Sequence, residues 1–486
     1  MTTANHKRLE LESTGDAALD QILGGGLPAR SVIIIAGEPG SGKTVMTLQM
    51  VFNAAQRGKR TLYFTTLSEP AVKVMRFMQH FDFFDQNMLE RNMILADIGR
   101  FLRAGAKATL DELERRVADA EPDFVVIDSF KAIAELLRDD SNARSMLYDL
   151  AVQMSAWGAT GLLVGEYTRD EISTRPEFGI ADGILRLGSE RQDLGSVREI
   201  EVLKMRGAAS RSGVHFFDIG RAGASFYPRV SAPVDDGAVD VEHDARASMG
   251  VAGLDELLGG GVPEHGTTLI QGGTGTGKTL LGVHFLLEGI RRGERAVLFT
   301  LEETPAQLRS VMRALDLDLA SLEASGQLVI RYTSPVELST DRFLYESRNE
   351  LRNLGARRAV FDSLTTMGLG ITSDRRFKEM VYAITKHLRS MKITSVMTAE
   401  SEQLLGTAHL TGDGVSFVAD NVIQLRYVEL DGRLERAISV LKARGIKHES
   451  ELRSMKIGIG GAEVVAGRFR DMRGILTGIP SQKAMP

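Results

Sequence analysis

Cysteine is absent from the 486 residues. That excludes disulfides, thiolate metal sites and cysteine nucleophiles. Tryptophan occurs once, at Trp157, where packing is the expected role. The nine histidines form no H-x-x-x-H or related ligand cluster, so a histidine-held catalytic metal is not expected. No apolar run approaches a membrane span, and residues 1–12 lack the apolar stretch of a secretory signal. There is no surplus of positive charge either. Lysine and arginine total 59 against 64 acidic residues, a net charge of -5. The chain as a whole therefore has no pull toward nucleic acid or anionic membrane. A cytoplasmic protein is the expectation. Its length is too great for one ordinary core, so two or more domains are expected.

What is present is organised by a repeat. Residues 13–28 read STGDAALDQILGGGLP, and residues 248–263 read SMGVAGLDELLGGGVP. Leu19 matches Leu254, an offset of 254 − 19 = 235. The same offset links two G-x-x-x-x-G-K-T loops, since 278 − 43 = 235. The first is Gly37, Glu38, Pro39, Gly40, Ser41, Gly42, Lys43 and Thr44; the second is Gly272, Gly273, Thr274, Gly275, Thr276, Gly277, Lys278 and Thr279. Each follows apolar residues and precedes a helical stripe: Leu48, Val51, Phe52 and Ala55 in one half, Val283, Leu286, Leu287 and Ile290 in the other. Strand, glycine loop and helix are the context of a nucleotide phosphate site. Backbone N–H groups and the helix N-terminus face the anion. Lys43 or Lys278 reaches the β- and γ-phosphates, and Thr44 or Thr279 holds Mg²⁺.

Apolar runs at 124–127 and 359–361 end in Asp128 and Asp362, and read as central parallel strands. After a phosphate loop, such an aspartate is the second Mg²⁺ contact; the alternative is a helix cap. Further strands end at Glu166 and Glu400. The fold class expected is α/β, two tandem P-loop domains, each a mainly parallel sheet flanked by helices. Boundaries are placed at 1–229, a linker at 230–246, a second domain at 247–480, and a short frayed tail at 481–486.

The halves differ in their carboxylates. Glu302 and Glu303 follow the strand at 298–301, where α/β sheets place ligands. They are candidates to orient or deprotonate the attacking oxygen, or an acidic pair opening a helix. Counting without gaps from Gly58 and Gly293, Glu302 falls on Leu67 and Glu303 on Ser68, which leaves Glu69 displaced along the chain. The first half is therefore expected to bind nucleotide and hydrolyse it slowly. Lys204 and Arg206, with Lys442 and Arg444, end alternating strand patterns far along the chain from their own loops. They read either as cations supplied to a neighbouring subunit's γ-phosphate or as solvated strand ends.

The doubled loops, the LDxLLGGGxP openings, Glu-Glu-Thr-Pro after a strand, the Asp-Ser strand ends and the K-x-R-G pairs together resemble the KaiC family of tandem RecA-like ATPases. The resemblance spans about residues 11–481. It implies a double-ring hexamer with ATP and Mg²⁺ at subunit interfaces, a slow first ATPase, and a second domain that is an ATPase and autokinase. Glu302 becomes the base, Glu303 its partner, and the four basic residues trans-acting nucleotide contacts. Counting back from Asp420, one family acceptor falls on Ser416, its neighbour on Phe417, and a third hydroxyl on Thr411. Ser416 is thus the main expected phosphosite. The family's tail, which engages an activator, is essentially missing after Pro480, so a KaiA-type activator is not expected. A KaiB-like partner is compatible with the resemblance. The competing readings are a nucleotide-switched scaffold without kinase activity and a RecA- or RadA-like DNA-dependent ATPase, which would need basic loops along phosphates.

Overall fold

The computed structural model describes residues 10–66, 71–138, 150, 152–154, 156–192, 195–229, 245–371, 373–401, 418–430, 432–467, 469, 472–473 and 481–482. The chain divides into two compact units, Met1–Arg229 and Val230–Pro486. Each carries a nine-stranded sheet of the same topology.

The first unit opens with a two-stranded ribbon, β1 (Leu11–Glu12) against β2 (Leu27–Pro28). Its large sheet contains β3 (Val32–Gly37), β4 (Thr61–Thr65), β5 (Met93–Asp97), β6 (Phe124–Asp128), β7 (Thr160–Glu166), β8 (Gly183–Gln192), β9 (Gly195–Met205), β10 (Val214–Gly220) and β11 (Gly223–Tyr227). The spatial order is β5-β4-β6-β7-β3-β8-β9-β10-β11. Strands β5 to β8 in that order pair in parallel; β9 to β11 continue as an antiparallel meander. The central parallel strands are largely apolar, and every residue of β3, β4 and β6 is buried. That is the signature of strands covered on both faces.

The second unit repeats this. Its ribbon is β12 (Arg246–Ala247) against β13 (Val262–Pro263). Its sheet contains β14 (Thr267–Gly272), β15 (Ala296–Thr300), β16 (Leu328–Tyr332), β17 (Arg358–Asp362), β18 (Thr394–Glu400), β19 (Asn421–Leu430), β20 (Arg433–Ala443), β21 (Arg453–Gly458) and β22 (Gly461–Val465). The order β16-β15-β17-β18-β14-β19-β20-β21-β22 matches the first sheet strand for strand.

Two boundary expectations are corrected. Arg246, assigned above to the linker, is the first residue of β12 and pairs with Pro263. It is the counterpart of Leu11 at the repeat offset, 246 − 11 = 235. The tail beginning at Ser481 is not frayed from its start: β23 (Met472–Arg473) pairs with β24 (Ser481–Gln482). Backbone pairing there needs no apolar periodicity, which is why composition missed it. His215 and His284 are buried. Each accepts a backbone N–H, His215 Nδ1 from Arg229 and His284 Nε2 from Ala462. Among the described residues no helix is long and apolar enough to cross a membrane.

Candidate functional site

In each unit the central strand delivers the chain into a phosphate loop, and a 14-residue helix leaves it: Lys43–Gln56 in the first, Lys278–Arg291 in the second. The residue before each helix is a left-handed glycine, Gly42 at φ 96° and Gly277 at φ 103°. A side chain is disfavoured in that conformation, and a Cβ on Gly42 would stand 2.6 Å from Ile219 Cδ1. No side chain caps either helix, so the first-turn N–H groups are left for a ligand.

The lysines are folded back onto their loops. Lys43 Nζ donates to the Glu38 carbonyl at 2.8 Å, and Lys278 Nζ to the Gly272 and Gly273 carbonyls at 3.0 and 3.1 Å. Both side chains are buried. Burial pulls the Lys43 ammonium below its ordinary range, and Glu166, Asp128 and Glu38 oppose that. Glu400 stands 3.8 Å from Lys278 and accepts the Thr274 hydroxyl at 2.8 Å.

The strand-end aspartates each accept the hydroxyl of the loop threonine. Thr44 Oγ1 donates to Asp128 Oδ2 at 3.0 Å, and Thr279 Oγ1 to Asp362 Oδ2 at 2.7 Å. Both aspartates are buried. Burial pushes the Asp362 carboxyl up, against the hydroxyls of Thr398 and Thr279 that hold it down. No cluster of three or more acidic, histidine or cysteine ligands occurs among the described residues. One hydroxyl and one carboxylate per site suit Mg²⁺, which keeps waters and takes phosphate oxygens as its other ligands.

In the second unit Glu302 and Glu303 stand beside this pair. Glu302 Oε1 accepts Ser363 Oγ at 2.5 Å and Thr366 Oγ1 at 2.7 Å. Glu303 is half-buried, and its Oε2 has no hydrogen-bond partner among the described residues. Desolvation, then the charges of Asp362 and Glu302, raise its carboxyl above the ordinary value. Thr304 caps the following helix, Pro305–Ala314, through a capping box with Gln307. Glu69, Ser416 and Thr411 lie outside the described residues.

The basic pairs are not brought to their own loops. Lys204 pairs with Ile184, itself beside Ile34 of β3. Arg206 pairs with Asp182 at 3.2 Å, and Asp182 in turn accepts the Val32 N–H. In the second unit Lys442 Nζ donates to the Ala419 carbonyl at 2.7 Å, and the Arg444 N–H to that of Asp420 at 3.1 Å. Both pairs thus sit at the amino ends of the central strands. From Val32 to Gly37 the strand runs about 16 Å, beyond the reach of either side chain to its own loop.

Sequence reasoning missed the supports of the site. Tyr63 OH donates to Asp128 at 2.8 Å, and Thr398 Oγ1 donates to Asp362. Each comes from the strand beside the aspartate's own in the sheet, β4 next to β6 and β18 next to β17. Ser363, quoted above only as half of an Asp-Ser pair, was the available signal for the Glu302 anchor.

Comparison with known proteins follows the same division. The ATPase family model described as KaiC matches residues 13–231 and again 247–468. The chain is 28% identical over 482 residues to the circadian clock oscillator protein KaiC of Picosynechococcus sp., covering 96% of this chain and 92% of that one. It is 29% identical over 475 residues to that of Thermosynechococcus vestitus, covering 95% and 90%. It is 29% identical over 490 residues to the circadian clock protein KaiC3 of Synechocystis sp., covering 98% and 95%. Two matched phosphate loops, two Asp–Thr pairs and a family match in both units make this chain a member of the KaiC family of ATPases.

Proposed function

We propose that the two sites divide the work. The Lys43 site binds ATP and hydrolyses it slowly, and the Lys278 site both hydrolyses ATP and transfers its γ-phosphoryl group to a hydroxyl of the same assembly. The observation that carries this is the carboxylate pair Glu302 and Glu303 beside Asp362 in the second unit. Glu302 is held in place by two hydroxyls, and Glu303 is half-buried with an unpartnered oxygen.

In the transfer, a serine Oγ attacks the γ-phosphorus, the bond to the β–γ bridging oxygen breaks, and ADP leaves. The hydroxyl proton passes to the carboxylate pair. Backbone N–H groups of the loop and Lys278 hold the phosphates. Thr279 and Asp362 would hold Mg²⁺, which would supply positive charge against the phosphates. Ser416 is the acceptor, with Thr411 second.

The assembly is a hexamer whose neighbours face each other's nucleotides. This accounts for Lys204, Arg206, Lys442 and Arg444, which stand at the strand ends away from their own loops. The relatives' names tie them to a circadian clock; for this chain we read a timing or signalling role, in the cytoplasm, with a KaiB-like partner on the first ring.

Incubation with ATP and Mg²⁺ followed by phosphopeptide mapping tests the transfer. Phosphate on Ser416, lost in Ser416→Ala, is the expected result. An unmodified peptide spanning 410–422 overturns the kinase and leaves a nucleotide-switched scaffold. ATPase stimulation by single-stranded DNA would instead favour a recombinase-like role.

A further inference from the structure

Above the first phosphate loop lies a cavity of about 450 Å³, lined among others by Gly40, Lys43, Thr44, Asp128, Glu166 and Arg198. Five of these belong to the loop, the helix after it, or the ends of the parallel strands. Arg198 does not. It comes from β9, the first strand of the antiparallel meander, where it pairs with Ser189 of β8. Its Nε is enclosed and makes no hydrogen bond among the described residues.

The second unit has an arginine at the same register position. Arg436 of β20 pairs with Tyr427 of β19, and both lie at one offset from their counterparts, 436 − 198 = 427 − 189 = 238. There the arginine is engaged. Arg436 Nε donates to the Gly275 carbonyl at 3.2 Å, and Tyr427 OH donates to the same oxygen at 2.8 Å. The guanidinium lies 5.5 Å from the Tyr427 ring centre. The tyrosine therefore pins its arginine to the loop. A Cβ on Gly275 would stand 3.1 Å from the Tyr427 hydroxyl. A Cβ on Gly40, the matching loop glycine, would meet nothing within 4 Å. With serine in place of tyrosine, the space over the first loop is open, and the arginine has no ring to lie on.

We infer that Arg198 is a same-chain cation for the phosphate chain of the nucleotide bound in the first unit. This rests on the reading of the Lys43 site as an ATP site. A guanidinium offers several N–H donors in a plane, suited to two phosphate oxygens at once. The one-residue difference between Ser189 and Tyr427 decides whether that fork faces the ligand or the loop carbonyl.

The test uses the full chain carrying Lys278→Ala, so that the Lys43 site reports alone. Equilibrium dialysis with labelled ATP and Mg²⁺ gives its Kd, and displacement by adenosine gives the phosphate-free affinity. Arg198→Ala is expected to weaken ATP about tenfold and leave adenosine unchanged, as for loss of one charged hydrogen bond. Arg198→Lys should fall between. Ser189→Tyr, an exposed position, should also weaken ATP by drawing Arg198 onto Gly40. Unchanged ATP affinity in Arg198→Ala, or an equal proportional loss for adenosine, overturns the inference alone. A parent protein that binds no ATP overturns the Lys43-site reading with it.

Discussion

Set side by side, the two phosphate sites share a backbone and differ in what surrounds it. Loop, helix, threonine and buried aspartate superpose in sequence and role. The aspartate's second support does not: a tyrosine hydroxyl from β4 in the first unit, a threonine hydroxyl from β18 in the second. The second site adds Glu302, fixed by Ser363 and Thr366, and Glu303. The first site has an unpinned arginine where the second has one fastened by tyrosine. The duplication thus kept the loop, its threonine and its buried aspartate, and varied the side chains around them. Binding depends on backbone N–H groups fixed by glycine positions. Chemistry depends on single side chains that change without disturbing the loop.

The largest test of that division removes each lysine. Lys278→Ala should reduce phosphate incorporation to background. Lys43→Ala should spare the chemistry of the second unit while abolishing nucleotide binding in the first, read by dialysis. Equal loss of incorporation in both variants would break the comparison. Next in size is the carboxylate pair. Replacing Glu302 and Glu303 together by glutamine should cost about 10²- to 10⁴-fold in second-unit turnover, the usual worth of a positioned base. Glu302→Gln is expected to account for the larger share. Retained turnover in the double variant would place the base elsewhere.

A smaller effect tests the aspartate supports. Tyr63→Phe removes a buried donor from Asp128, and Thr398→Ala does the same to Asp362. Each should cost about 1–3 kcal/mol of unfolding free energy, measured by denaturant titration of its own unit's transition. If one substitution is neutral, that support is replaceable and the two aspartates are not equivalently held.

These supports also mark how far the sequence could be read. The loops, the repeat and the parallel strands were legible because each is a local pattern: glycines at fixed spacing, apolar runs, one offset of 235 residues. Asp128 and Asp362 were legible because they end such runs. Tyr63 and Thr398 were not, since which strand lies beside β6 or β17 is set by crossovers. Arg198 was hidden for the same reason, because its position over Gly40 depends on the meander's register. Arg246 was lost in an acidic, proline-containing stretch whose composition resembled a linker. Its pairing with Pro263 identified it.

The smallest expected effect concerns stability, and it sharpens the comparison by asking whether the second site is strained for its task. Glu303 carries a carboxyl raised by burial and by the charges of Asp362 and Glu302. A raised acid pKa means the folded state disfavours the ionised form. The neutral carboxyl is therefore the better tolerated one below the ordinary carboxylate range, and that advantage is lost as pH rises through the folded value. At neutral pH, well above the ordinary glutamate value, the raised carboxyl works against folding. Glu303→Gln should then stabilise the second unit by about 0.5–2 kcal/mol at neutral pH, the common size of a single stabilising substitution. The gain should shrink as pH falls toward the ordinary glutamate value of about 4.3, where the wild-type carboxyl protonates as well. Urea titrations of both proteins at neutral and mildly acidic pH measure this. A gain that persists unchanged at low pH would assign the effect to packing. No gain at neutral pH would show that Glu303 is no more costly to the second unit than an ordinary surface acid.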